Sequence, residues 1–484
     1  MKHRYGTLWE RLGAGVLAFT LSTTVVCAQS ASETDVATAL RALNARLDSI
    51  EARIEQPAAS TQTEASLRAE VAELRAQLAS LSETVEAQTV TLDRVCEVTY
   101  IEGGSKGVPY LSGEKVPSQE PLQFITSKYR ACLYGFVKLD GSYDTQQVKN
   151  GNLAFFALPD EGGADDEFNL TANQTRIGLK IDAPAHGNAE VFGKLELDFF
   201  GGGAENKPNP RLRLGYAEYK KPNWSLLAGQ DWDTLITVLP RSVNFSYFGF
   251  QGRVGFRRPQ VRYTRRTPLG QGTLVSKVGL GRTIGDDVEG LSTDDGADAG
   301  FPHVQWNLCY EQPVFGLEKT KAKVSFSGHY GQEEVDRGAS VAAGEQNFNT
   351  WSLIGSFFVP FTERLAVQGS VWTGANLDDF FAGIGQGVNG TLGTEIASSG
   401  GWGQVLYTPA EDWKLAAGAG VDNPRNSDLN IDDRTFNFLG TANAYWSGLD
   451  PLELAFEYSY IETGYKGQDD AVSHRFQGAV IFKF

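Results

Sequence analysis

Methionine appears once in 484 residues, cysteine four times and histidine five times. That scarcity removes whole classes of chemistry. No CxxC pair and no Cys/His spacing offers a zinc site. His3, His186, His303, His329 and His474 are scattered, and no nucleophile stands at readable spacing from a base. No catalytic residue, cofactor or metal is therefore expected. Long apolar runs are also missing: mean hydropathy is −0.27, and the one apolar stretch, Leu12 to Val26, is short and sits at the start. This excludes a bundle of membrane-crossing helices. Bases are outnumbered, 43 Lys and Arg against 59 Asp and Glu, for a net charge of −16, and nucleic acid is not an expected partner.

The apolar start explains itself. Lys2, His3 and Arg4 precede it, and Val26-Cys27-Ala28 ends it as a small-residue cleavage site, so residues 1–28 are expected to be an export signal and Gln29 the mature start. A lipoprotein anchor on Cys27 is the alternative, which the bulky Val26 disfavours. Three cysteines then remain in an oxidising compartment. Cys96 with Cys132 would staple the stretch between them; two unpaired thiols is the competing reading, and Cys309 stands apart.

From Val36 to Ile54, and again from Leu67 to Val95, apolar residues recur at gaps of three and four, interrupted around Pro57. Two seams of this regularity predict an α-helical coiled coil over 29–96, which must be covered by copies of itself or by a partner. The strand number stays open, since the first seam leans to three or four helices and the second to two. A Gly-rich linker follows over 97–131.

After it the period changes from 3.5 to 2. In "LYGFVKLDGSYD", Val137 and Leu139 alternate with Lys138 and Asp140, and the pattern persists to the end of the chain. Sixteen strands are expected: 133–144, 174–182, 189–199, 211–220, 224–231, 259–266, 272–284, 302–312, 319–330, 348–359, 363–374, 398–408, 411–422, 434–447, 451–462 and 471–484. Short connections ("KPN", "PFTE", "SGLD") alternate strictly with long loops. That rhythm is the mark of an up-and-down antiparallel transmembrane barrel, here over 132–484, with unequal ends. A membrane sheet tolerates no free edge, so the last strand must pair with the first and Phe484 must be ordered. Trp224, Trp306, Tyr310, Tyr458 and Tyr460 read as an interfacial girdle.

"YGFVKLDGSYD" as first strand, "AGQDWD" entering a long loop, "GFRRPQVRY" leaving it and a C-terminal Phe together resemble the bacterial outer-membrane porins, and among them the DcaP-like trimeric porins with an N-terminal coiled coil. The resemblance implies a homotrimer, a third long loop folded into the lumen, and dicarboxylates as solutes. It also implies a place in the outer membrane, against lipid and lipopolysaccharide. The coiled coil is then expected in the periplasm, with peptidoglycan or a periplasmic partner as candidate contacts that the sequence does not choose between.

The strongest local departure from the acidic average lies at that loop. Residues 241–266 hold Arg241, Arg253, Arg257, Arg258, Arg262, Arg265 and Arg266 with no acid. Strand parity turns Arg262 inward against Val261 and Tyr263, Arg211 and Arg213 against Leu212 and Leu214, and Arg176 against Ile177. On the lipid face at mid-depth each charge would cost about 2–4 kcal/mol. Arg176, Arg211, Arg213, Arg253, Arg257, Arg258 and Arg262 are thus expected at an anion-binding constriction, since guanidinium grips carboxylate bidentately. Glu190, Glu196 and Asp198 are the expected opposing acidic wall. Such a wall would set a transverse field without choosing a solute, the reading as a general porin. A sugar porin would need lumen aromatics, for which Phe245, Tyr247, Phe248 and Phe250 are the candidates. A barrel-anchored adhesive coiled coil is the reading from another class. The acidic stretches "DEGGADDE" and "GDDVEGLSTDDGADAG" read as solvated or lipopolysaccharide-facing loops rather than cation sites.

Overall fold

The structure, a computed structural model, describes residues 71–73, 75–76, 122–125, 129–160, 165–184, 187–204, 207–284, 299–336 and 345–484. The expected signal and nearly all of the expected coiled coil lie outside these. Residues 71–73 and 75–76, within the second heptad seam, are helical.

Eighteen hydrogen-bonded segments form one sheet. They make sixteen barrel strands: Arg130–Asp144, an interrupted second strand (Glu167–Thr171 with Arg176–Asp182), Glu190–Asp198, Arg211–Lys220, Trp224–Trp232, Arg257–Leu269, Gly272–Gly281, His303–Val314, Leu317–Asp336, Glu345–Pro360, Leu365–Ala375, Ala397–Ala410, Trp413–Pro424, Arg434–Leu449, Leu452–Tyr465 and Ala471–Lys483. Each expected strand is present. The eighteenth segment, Leu122–Ile125, is a lead-in that pairs with Arg130–Leu133, below the reach of the last strand.

Closure follows the predicted route. The first strand pairs antiparallel with the last from Phe136↔Lys483 to Asp144↔Arg475, and the terminal residue is bonded on both sides, Gly135 N to Phe484 O at 2.9 Å and Phe484 N to Gly135 O at 3.1 Å. The Phe484 amide and carbonyl thus extend the ladder that closes the sheet.

Side chains sort inside out. Val137 (51% exposed) and Leu139 face away from the barrel, while Lys138 (1%), Asp140, Ser142 and Asp144 (0%) face in. Leu452, Leu454, Phe476, Val480 and Phe482 continue the outer surface across neighbouring strands. An apolar belt this continuous needs lipid to cover it. At the end of the short turns Trp224 packs between Tyr219 (5.6 Å) and Tyr263 (6.1 Å), as an interfacial girdle would. Cys132 is disulfide-bonded, to a partner outside the described residues, and Cys309 is a free thiol.

Two irregularities shape the wall beside the lumen. Between the halves of the second strand the Thr175 hydroxyl takes the ladder's place, accepting from Lys138 N at 3.2 Å, and Gln174 turns inward to accept from Lys138 Nζ at 2.5 Å. On the same strand Gly178 leaves room for the Tyr134 ring to lie across it and donate to Glu196 Oε2 at 3.0 Å, one strand further. A Cβ at Gly178 would collide with that ring. Gly178→Ala is expected to cost about 1–3 kcal/mol, lowering the temperature at which the folded band converts to the unfolded one in detergent electrophoresis. An unchanged transition would mean that the ring swings away freely.

Candidate functional site

The third long loop, 233–256, folds into the lumen and is buried over almost its whole length. A loop with so many backbone polar groups needs partners, and inward positions of strand after strand supply them. Gln305 Oε1 accepts from Thr234 N at 2.6 Å, Asn307 Nδ2 donates to Leu235 O at 3.3 Å, and Ser327 Oγ donates to the same carbonyl at 2.9 Å. Gln368 reaches Leu239 O at 2.8 Å, and Gln404 both donates to and accepts from the Arg241 backbone. At the far wall Glu457 accepts from Val243 N (2.7 Å), Asn244 N (3.2 Å), Ser242 Oγ (3.0 Å) and Asn443 Nδ2 (3.1 Å). Lys138 Nζ donates to Val243 O at 3.0 Å. These wall residues were unremarkable in the sequence; their only signal was inward parity combined with an amide or carboxylate side chain.

Two further loops join it. From the first long loop, Phe155 O accepts from Asn437 Nδ2 (2.8 Å), which also holds Phe250 O (2.7 Å). From the sixth, 376–396, Phe380 and Phe381 carbonyls accept from Gly255 N and Phe250 N. Phe381 stacks on Phe256 at 4.2 Å and on Phe250 at 5.0 Å, and Phe155 meets Phe250 edge-on at 5.0 Å. The infolded third loop is thus joined by parts of the first and sixth. Tyr247, Phe248, Phe250 and Phe381 all sit at positive φ, a conformation costing each about 1 kcal/mol, which the packing holds in place.

Against this plug stands the arginine cluster. Arg213 donates to Glu196 (2.7 Å) and Asp198 (2.8 Å), Arg211 reaches Asp198 in a fork at 2.9 and 2.8 Å, and Arg176 lies 3.5 Å from Glu196. Phe245 from the loop receives the Arg213 and Arg176 guanidiniums on its ring at 5.0 and 5.9 Å. Arg257 is buried over Phe256 (4.5 Å) and Trp232 (5.1 Å), and its Nε and Nη1 have no hydrogen-bond partner among the described residues. A small pocket is lined by Arg211, Arg253, Arg257, Trp232, Phe155 and Phe381 among others, with no acid in its lining.

The structure redistributes the expected roles. Glu196 and Asp198 are not an opposing wall: they sit among Arg176, Arg211 and Arg213, because neighbouring strands place them side by side. Glu190 is remote from the constriction, exposed and paired with Lys220 at 2.6 Å. Arg258 is spent on Asp233 (2.6 Å) and on the face of Phe380 (3.8 Å), and Arg262 on Asp231 (2.6 Å). Burial works against charge on Asp233, yet Arg258, Gln305 and the Phe256 amide hold its carboxyl below the usual range. Arg253 donates to Tyr247 O at 2.7 Å and to Gly255 O, bracing the loop from within. Leu214 points inward rather than to lipid, since a bulge opposite Glu196 and Leu197 shifts the parity after Arg213. What remains is a local excess: Arg176, Lys194, Arg211, Arg213, Arg253 and Arg257, six cations against the two carboxylates Glu196 and Asp198.

No family model and no curated protein matches the chain. Solved structures do. The outer membrane channel DcaP of Acinetobacter baumannii is similar at 19% identity and a TM-score of 0.60, over 74% of this chain and 99% of that one. An anion-selective porin from Comamonas acidovorans matches more loosely at 13% identity and 0.49, over 74% and 100%, and OmpT of Vibrio cholerae at 11% and 0.47, over 75% and 100%. Sixteen strands, a closed edge and an infolded third loop, superposed on DcaP over nearly all of its length, give this chain the fold of an outer-membrane channel.

Proposed function

We propose that the protein is a bacterial outer-membrane porin for passive diffusion of small anionic solutes, with an arginine-lined constriction at the third loop. The observation that carries this is the cation excess there, above all Arg257, whose guanidinium keeps two unbonded nitrogens beside an acid-free pocket. A carboxylate has the acceptors such a fork lacks. Dicarboxylates are the working substrate class, by resemblance to the DcaP-like porins. The same resemblance supports a homotrimer, and the heptads a periplasmic coiled coil that assists its assembly.

The general-porin reading needs acids across the pore from the arginines, and Glu196 and Asp198 do not lie there. The sugar reading needs a row of accessible rings; Tyr247 and Phe248 are instead buried, Phe248 against Trp402 at 6.0 Å.

The test is the reversal potential of the purified protein in a planar bilayer under a KCl gradient, repeated with succinate. Chloride permeating in preference to potassium, with a conductance that succinate alters, is the expected outcome. Preference for potassium would overturn the reading.

A further inference from the structure

Beyond the constriction, on the side of the short turns, three neighbouring strands turn a second set of cations into the lumen. Val278, Leu308 and Val324 face lipid (49, 47 and 60% exposed), so Lys277, Cys309 and Lys323 face in. Register fixes their neighbourhood. Cys309 lies directly across from Val275 and Ser325, which makes Lys277 and Lys323 its diagonal neighbours on either side, within reach of long side chains. Thr237 of the infolded loop bonds Ser325 at 2.7 Å and Asn307 at 3.0 Å, which puts this patch immediately beneath the loop.

The charges there are unbalanced. Among the described residues Glu311 is the one carboxylate there, and it is shared by Arg266 at 3.4 Å and Lys321 at 4.0 Å. Lys323 lies across from Glu311 in register yet has no ion pair within 4.0 Å among the described residues; it is 8% exposed. Lys277 likewise has none. Lys323 is buried and Lys277 half-buried, and an ammonium drawn out of water with no partner is costly, so these two lysines are poised for an anion from the lumen.

We propose that Lys277 and Lys323, flanking Cys309, form a second anion-binding station on the permeation path, between the constriction and the mouth at the short turns, for small carboxylates, phosphates or sulfonates. It rests on the anion-channel reading and deepens it. Lysines act as point charges with rotatable donors, unlike the forked arginines above. A solute leaving the constriction is therefore caught without a fixed geometry and held weakly enough to move on, as conduction through successive sites requires.

Cys309 is a reporter built into the station. In the full-length protein in detergent, with both mouths open, its thiolate attacks the sulfenyl sulfur of a methanethiosulfonate. A mixed disulfide forms, methanesulfinate leaves with the bonding pair, and the thiol proton passes to water. The probes are the anionic 2-sulfonatoethyl and the cationic 2-(trimethylammonium)ethyl reagents, each normalised to its rate with a free thiol; Cys309→Ser identifies the labelled position. The anionic reagent is expected to react roughly tenfold faster, and Lys277→Gln with Lys323→Gln to bring the two to parity. Equal rates in the wild type, a preference that survives the double substitution, or no reaction with either reagent would each overturn the station. A channel that shows no anion preference in its reversal potential yet keeps the Cys309 ratio would sink the anion-channel reading and spare the lysine site; the converse result would do the reverse.

Discussion

Replacing Glu457 with alanine is expected to free the tip of the third loop while leaving the barrel closed. The carboxylate accepts from both the Val243 and Asn244 amides and also takes the Ser242 hydroxyl. Each buried donor left without an acceptor costs about 1–3 kcal/mol, less where lumen water replaces it. The total is comparable to what holds one loop segment in place and small beside a ladder of sixteen strands. Single-channel conductance should rise and the open-channel current become noisier, with the unfolding transition in detergent little changed. The glutamine variant is informative because it is not conservative here. Both oxygens of Glu457 face backbone N–H groups, Oε2 toward Val243 and Oε1 toward Asn244, so whichever one becomes an NH₂ sets donor against donor. Glu457→Gln should thus loosen the loop as well. Wild-type conductance and noise in both variants would show that the loop is held by its other contacts, Lys138, Gln404 and Trp372.

The barrel was legible because a membrane imposes a rule on every residue. Lipid outside and water inside force period 2, closed edges force the last strand onto the first, and unequal loops number the strands. Arg262 and Gln260 could be turned inward from Val261 and Tyr263 alone. The same rule failed at Leu214, where one extra residue in the strand reversed the faces. Such a bulge leaves no mark in composition. The site was legible in residue type and not in partnership. Seven arginines over 241–266 were visible, but which of them are neutralised depends on Asp231 and Asp233, at the end of the fifth strand and the start of the loop, folding back onto the sixth. Glu196 and Asp198 show the converse case. Their inward parity was readable, while their position beside rather than opposite Arg211 and Arg213 is set by which strands are neighbours. The infolding of the sixth loop had no sequence signal that separates Phe380 and Phe381 from girdle aromatics.

That partnership decides which arginine controls selectivity. Arg258 and Arg262 each neutralise a carboxylate, and removing either leaves a buried acid uncompensated, at a cost of about 3–5 kcal/mol. Substitutions there should disturb the loop before they report on permeation. Arg257 differs: its charge has no carboxylate within 4.0 Å among the described residues, it lies over the rings of Trp232 and Phe256, and it lines the pocket. Arg257→Gln removes a cation that nothing on the protein requires, so the fold should hold. A solute anion about 6 Å from that charge in a water-filled lumen gains about 0.7 kcal/mol from it, roughly a threefold effect, so the chloride-to-potassium permeability ratio should fall several-fold. A dicarboxylate, which also engages Arg211 or Arg253, should lose more. Since the interaction is electrostatic in water, the difference between wild type and variant should shrink as KCl is raised toward 1 M, where the screening length drops to about 3 Å. A ratio that does not move in Arg257→Gln, measured at low salt in a barrel that keeps its wild-type unfolding transition, would place the selecting charges elsewhere in the cluster, with Arg211 and Arg213 the next to replace.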